Sequence, residues 1–280
     1  MDNVNDFFAT LSSFLWGWPM IVLLLGTHVF LTIRLRFPQR KLFTAIRLSV
    51  QRDKSQKGDV SQFGALATAL AATIGTGNII GVATAVALGG PGAVFWCWLT
   101  GVFGISTKYS EALLAIKYRV KSERGTMQGG PMYTLERGLG WRWMGFLFAL
   151  FTAIAAFGIG CTVQANAIST IMHASYGIST EVSGVVLMLL AAAVIVGGVR
   201  SISKVCSMLV PFMALLYVVG CIYILCGNSD YVMPALKLIV SSAFSPEAVG
   251  GGFAGGSVIM AARYGIARGL FSNESGLGSA

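Results

Sequence analysis

The sequence predicts an all-α polytopic membrane protein, and three observations carry that reading. First, 55% of the 280 residues are hydrophobic and only 11% charged, whereas about a quarter of the residues of a soluble domain are charged. Second, seven apolar segments approach or exceed the roughly 20 residues that a bilayer-spanning helix needs. Third, the basic residues lie between these segments in an alternating pattern. The 35 glycines suit closely packed membrane helices rather than linkers.

The predicted spans cover about 13–33, 64–88, 92–116, 143–172, 182–199, 205–226 and 250–270. The N-terminal MDNVNDFFATLSSF has neither a positive n-region nor a small-residue cleavage site, so the first span is expected to stay in the mature chain. The second span begins with GALATALAATIGTGNIIG, and Gly75-Thr76-Gly77-Asn78 interrupts its middle. Gly89-Gly90-Pro91 separates it from the third span, which makes the two antiparallel neighbours. The third span carries Lys108 and Glu111, and the fourth carries Gln164 and Asn166. The stretch 227–249, with Pro234 and Pro246, reads as a partly polar connection along the membrane surface. The seventh span is again rich in glycine, and a second helix break is expected at Gly255-Gly256-Ser257.

The charges set the orientation. Of the 20 Lys and Arg residues, all but Lys108 and Lys237 fall on one side if the spans alternate. Eight of them, from Arg34 to Lys57, fill the first loop. Positive loops face the cytoplasm, so the N-terminus is outside and the end of the seventh span is inside. All six tryptophans lie near span ends, as an aromatic belt requires.

Several functions are excluded. The net charge of +9 belongs to the loops and accompanies no nucleic-acid-binding motif. The spacing Gly75-x-Gly77-x-x-x-Gly81 is not a dinucleotide fingerprint. No catalytic triad, metal cluster or nucleotide loop is present, so the chain is not expected to be an enzyme or to hold a cofactor. The five cysteines all sit in or beside apolar runs, in an odd number and without zinc-like spacing, and read as small hydrophobes.

Two readings of the second span remain open. As a continuous helix, Thr73, Thr76, Gly77, Gly81 and Thr84 would line a close helix contact, with Asn78 bonded to a neighbour. If the chain instead unwinds around Gly75–Gly77, freed backbone groups converge with Thr76 and Asn78 on a ligand. An amino-acid carboxylate can then meet the N–H groups that open the following half-helix. A sodium ion, a hard cation, can take the carbonyls of Ala71, Thr73 and Ile74 together with the Asn78 amide. Polar groups at mid-membrane are costly and are usually functional. In the fourth span, Gln164 either bonds a substrate or ties two helices together. Lys108 and Glu111, three residues apart, form either a structural pair or a proton relay.

Several runs together carry a family resemblance. ALAATIGTGNIIGVATAVALGGPGAVFWCWLTGVFG, TKYSEALLAIKYR, GGPMYTLERGLG and RYGIARGLFSNESGLGSA resemble the alanine or glycine:cation symporter family. The resemblance covers most of residues 64–144 and 250–280, with Cys97 where methionine is expected. It implies a multi-pass carrier of a bacterial or archaeal inner membrane that moves alanine or glycine inward with sodium. It also implies a leucine-transporter-like inverted-repeat fold. The chain would hold the first five-helix repeat, one extra N-terminal helix and the start of the second repeat, as the N-terminal fragment of a longer carrier. On that scheme Thr76, Gly77, Gln164, Gly256 and Ser257 bind substrate, while Ala71, Thr73, Ile74 and Asn78 hold sodium. The expected partners are the amino acid, sodium and the lipid bilayer. A channel-like or structural membrane subunit is the alternative function, in which the mid-membrane polar residues are packing contacts.

Overall fold

The computed structural model describes residues 2–51, 58–123, 125–244 and 258–278. They form helices α1 (Asp2–Leu15), α2 (Trp18–Arg34), α3 (Leu42–Val50), α4 (Gln62–Thr73), α5 (Val82–Gly89) and α6 (Ala93–Lys117). These are followed by α7 (Pro131–Gly138), α8 (Arg142–Ala155), α9 (Val163–Tyr176) and α10 (Thr180–Ile195). The remaining helices are α11 (Gly198–Gly227), α12 (Ser229–Phe244) and α13 (Val258–Asn273). One small antiparallel hairpin pairs β1 (Val120–Lys121) with β2 (Met127–Gln128). The protein is therefore all-α in character.

Among the described residues, Arg142–Tyr176 and Gly198–Gly227 are long and apolar enough to cross a membrane. Up to four spans result if each of two bent pairs counts as one, Trp18–Arg34 with Pro38–Val50 and Gln62–Thr73 with Gly77–Gly89. Outward faces such as Leu189, Leu190, Leu215, Leu216 and Ile224 are exposed. Apolar faces of that extent are a liability in water and ordinary against lipid.

The chain forms two compact units, Met1–Leu42 with Gly77–Ser110 and Tyr217–Leu277, and Phe43–Thr76 with Glu111–Leu216 and Gly278–Ala280. In the first unit α13 is the central helix. Ala261, Ala262, Gly265, Ile266, Gly269 and Leu270 are buried along it, a stripe that returns about every four residues as helical periodicity demands. Ala262, Ile266 and Leu270 meet Ile21 and Leu24 of α2 in one apolar cluster. On the side facing α6 the approach is too close for side chains. A Cβ on Gly265 would overlap the Ala93 carbonyl oxygen, and one on Gly269 would overlap Thr100 Oγ1. α12 lies where the sequence reads as a surface connection. It is helical with Pro234 inside it and buries Ala243, while Phe244 stacks edge-on against Phe95 at 5.0 Å.

A polar seam also joins α2 to α6. His28 Nδ1 lies 2.7 Å from Thr107 Oγ1, and Thr32 Oγ1 lies 2.8 Å from Ser106 Oγ. Gln39 Nε2 donates to Ser106 Oγ and to the Val102 carbonyl, both at 3.0 Å. His28, Thr32, Ser106 and Thr107 are all buried, so each lost partner leaves a group that cannot turn to water. Thr107→Val is expected to lower stability by about 1–2 kcal/mol, read as a lower melting temperature in detergent, with Thr107→Ser close to wild type. An unchanged midpoint in the valine variant would show that the seam contributes nothing.

In the second unit, Ser61 caps α4 by accepting from Gly64 N–H at 3.0 Å, and Ser179 caps α10 from Val182 N–H at 3.4 Å. Such caps satisfy amide groups that have no carbonyl four residues back. Asp59 Oδ2 accepts from Met127 N–H at 2.8 Å and ties the hairpin to the approach of α4. α8 continues through a π-helical stretch, Ala156–Thr162, into α9. α11 begins at Gly198 and so takes in Arg200 and Lys204, which the sequence reading leaves in a loop. Their long side chains can snorkel from a helix end to the headgroups.

Candidate functional site

The second predicted span is not one helix. α4 runs to Thr73, and the Ile74 N–H closes on the Leu70 carbonyl at 2.7 Å. Ile74 itself leaves helical geometry, with φ −85° and ψ 85°. The chain resumes as a π-helical turn, Gly77–Gly81, which leads directly into α5. π-turns inside helices are frequent at functional positions, because the wider turn frees backbone groups from the regular ladder. Ala71 lies in the last turn of α4, and the Thr73 hydroxyl donates back to the Ala69 carbonyl at 2.9 Å.

In the second unit, Gln164 sits on the first turn of α9, immediately after the π-stretch Ala156–Thr162. The Thr76 hydroxyl donates to Gln164 Oε1. A Cβ on Gly75 would lie 3.8 Å from both amide atoms of Gln164, so the amide covers the bare backbone of the break. Gln164 Oε1 accepts from Thr76, and the amide NH2 is the donor Gln164 can offer a carboxylate or carbonyl. In this unit Gly278 N–H also donates to Glu111 Oε1 at 3.2 Å.

In the first unit, Gly77 is buried beneath Phe271, whose ring would lie 3.4 Å from an added Cβ. The Ser272 hydroxyl donates to Asn78 Oδ1. Ser272 is absent from the residues chosen by sequence. Its signal was nonetheless available, because Gly265, Gly269 and Ser272 repeat at the i, i+4, i+7 spacing of one helix face. Beyond α13 the chain turns, with positive φ at Glu274 (52°) and Gly276 (89°). Ser275 N–H donates to Asn273 Oδ1 at 3.0 Å, and Lys108 Nζ donates to the Glu274 carbonyl at 3.4 Å. Lys108 thus places a positive charge at the negative end of α13, the favourable end for a cation. Gly256 and Ser257, the expected second break, lie outside the described residues.

Each polar side chain at the break is therefore paired with one distant in sequence, Thr76 with Gln164 and Asn78 with Ser272. Each pair, within its own unit, joins a hydroxyl to a side-chain amide, and neither contains a titratable side chain. Neutral dipoles of this kind can bind a zwitterion or a hard cation, and none of these four side chains is a general base that would activate a hydroxyl.

Comparison with known proteins gives the same direction. The profile of the sodium:alanine symporter family matches residues 1–280. An uncharacterized transporter of Haemophilus influenzae is 52% identical over 280 residues, covering 99% of this chain and 61% of the relative. The sodium/alanine symporter AgcS of Methanococcus maripaludis is 50% identical over 278 residues, covering 97% of this chain and 60% of AgcS. The probable sodium/glutamine symporter GlnT of Bacillus subtilis is 37% identical over 268 residues, covering 95% of this chain and 55% of GlnT. The chain spans about three fifths of the length of the first two relatives. Since the profile covers the whole sequence, the chain belongs to the sodium:alanine symporter family, a family of transporters and not of enzymes.

Proposed function

We propose that the protein performs sodium-coupled symport of a small neutral amino acid, alanine or glycine, into the cell across the bacterial inner membrane. The observation that carries the reading is the helix break at Ile74–Gly75, with the Thr76 hydroxyl on the Gln164 amide. On this reading Thr76, Gly77 and Gln164 bind the amino acid, joined by Gly256 and Ser257. The carbonyls of Ala71, Thr73 and Ile74 and the Asn78 amide hold sodium. The fold is the leucine-transporter-like inverted repeat, with the segments 64–88 and 250–270 as the discontinuous first helices of the two repeats. Sodium orders the unwound segment and raises affinity for the amino acid, and rocking of one helix bundle then opens the loaded site inward.

Coupling of this kind is reciprocal: sodium must tighten alanine binding by the same factor by which alanine tightens sodium. The test is uptake of labelled alanine by the expressed protein with and without sodium, followed by counterflow. Saturable, stereoselective counterflow that requires sodium is the expected result; unsaturable flux would mean a channel. Gln164→Leu keeps much of the volume but removes the amide. It is expected to raise the half-saturating alanine concentration about tenfold, since a hydrogen bond lost at a half-buried site costs about 1–1.5 kcal/mol. Wild-type half-saturation in that variant would remove Gln164 from the substrate site.

A further inference from the structure

We infer that α3 is an interfacial helix that binds anionic lipid headgroups on the side of the membrane where the basic loops lie. α2 ends in a defined turn: Phe37 N–H reaches back to the Thr32 carbonyl at 2.9 Å, and Arg36 and Phe37 take positive φ. A 3-10 turn, Pro38–Lys41, then leads into the nine residues of α3. Every residue of α3 except Ser49 is exposed.

At 100° per residue, Leu42, Ile46, Val50 and Phe43 fall on one arc of the helix. They are 46%, 51%, 62% and 83% exposed respectively. Helices this short are marginal in water without a surface to pack against, so an apolar face this open requires a cover. The cover is not the bilayer interior. Nine residues extend about 14 Å, under half of the roughly 30 Å hydrocarbon thickness. Arg40 and Lys41 immediately precede α3 and Arg47 borders the arc, and charges of that density are excluded from the hydrocarbon core.

Charge complementarity selects the occupant. Between residues 34 and 51 stand Arg34, Arg36, Arg40, Lys41 and Arg47, and there is no Asp or Glu. A helix with one apolar face and a cationic rim seats itself at the acyl–headgroup boundary, with the cations on anionic phosphates. A protein partner would have to supply an acidic and apolar groove together; an anionic membrane surface supplies both as a matter of course.

The inference rests on the membrane-embedded reading of the chain but not on its cargo, so it can fail while sodium-coupled uptake stands. The test is amide hydrogen exchange of residues 42–50 in the whole protein, in nanodiscs of phosphatidylcholine alone or with about 30% phosphatidylglycerol. The α3 amides are expected to exchange about tenfold more slowly in the anionic discs. The triple variant R40Q/K41Q/R47Q should abolish that difference while leaving Arg34, Arg36, Arg52, Lys54 and Lys57 to hold the topology. The variant F43S/I46S should remove protection in both lipids, and α13 serves as the unaffected reference in every sample. Equal exchange in the two lipids overturns the inference. Protection that persists in detergent and in the triple variant also overturns it, because a protein surface or a second copy would then be the cover.

Discussion

Asn78→Ala is expected to reduce sodium-dependent alanine uptake by about a hundredfold, with the protein still inserted and folded. The substitution removes an amide whose Oδ1 accepts the Ser272 hydroxyl and which, on the proposed function, also faces sodium. The Ser272 hydroxyl bond helps to fix the direction of this amide oxygen, and an amide oxygen can accept from a donor and face a cation at once. Losing a positioned ligand and orphaning its partner together cost about 2–3 kcal/mol, close to a hundredfold. Two companion variants separate ligand from packing. Ser272→Ala keeps the Asn78 oxygen but removes one bond that orients it, and should cost about tenfold, chiefly as a higher sodium requirement. Asn78→Leu keeps the volume and should be as inactive as Asn78→Ala. Uptake that survives Asn78→Ala unchanged would remove this residue from the mechanism. Equal small losses in all three variants would reduce the pair to a helix–helix contact.

The interruption of the second span was legible because its composition contradicts its hydropathy. Gly75, Thr76, Gly77 and Asn78 are poor helix formers in the centre of an otherwise apolar run, and the chain does leave helical geometry at Ile74. The partners were harder to read. Thr76 and Gln164 were each conspicuous as polar groups in apolar segments, but they are 88 residues apart, and no local pattern announces such a pairing. Ser272 escaped notice because a hydroxyl among Gly265 and Gly269 looks like one more small packing residue. α3 is masked by the basic residues around it: with Arg40 and Lys41 before it and Arg47 within it, the stretch reads as part of a basic loop, although Leu42, Ile46 and Val50 keep helical spacing through it. α12 fills the stretch read as a connection along the membrane surface, and it stays helical with Pro234 inside it. Beyond Gly255–Ser257, where a second break was expected, the described chain is helical from Val258 to Asn273 and turns at Glu274.

Gly265→Ala is expected to destabilise the protein by about 2–3 kcal/mol or prevent its accumulation in the membrane, although alanine is the better helix former by about 0.5–1 kcal/mol. The added methyl has nowhere to go. It would overlap the Ala93 carbonyl oxygen and approach Trp96 Cβ to 2.7 Å. The first obstacle is backbone and the second is the root of a large side chain, so rotating a side chain cannot relieve either. The helices must move apart, and α13 cannot move alone. Its Ala262, Ile266 and Leu270 are seated against Ile21 and Leu24, and Gly269 rests on Thr100 one turn further along. In a bilayer no hydrophobic drive between helices compensates for a lost close approach, since lipid tails are as apolar as the neighbouring helix. The control is Gly220→Ala on α11, where no atom lies within 4 Å of the new methyl; there the gain in helix propensity should leave stability unchanged or slightly raised. The measurement is the melting temperature and yield of both variants by fluorescence-detected size exclusion in one detergent. Gly265→Ala melting with the wild type would mean that α13 does not pack against α6 as closely as this geometry requires.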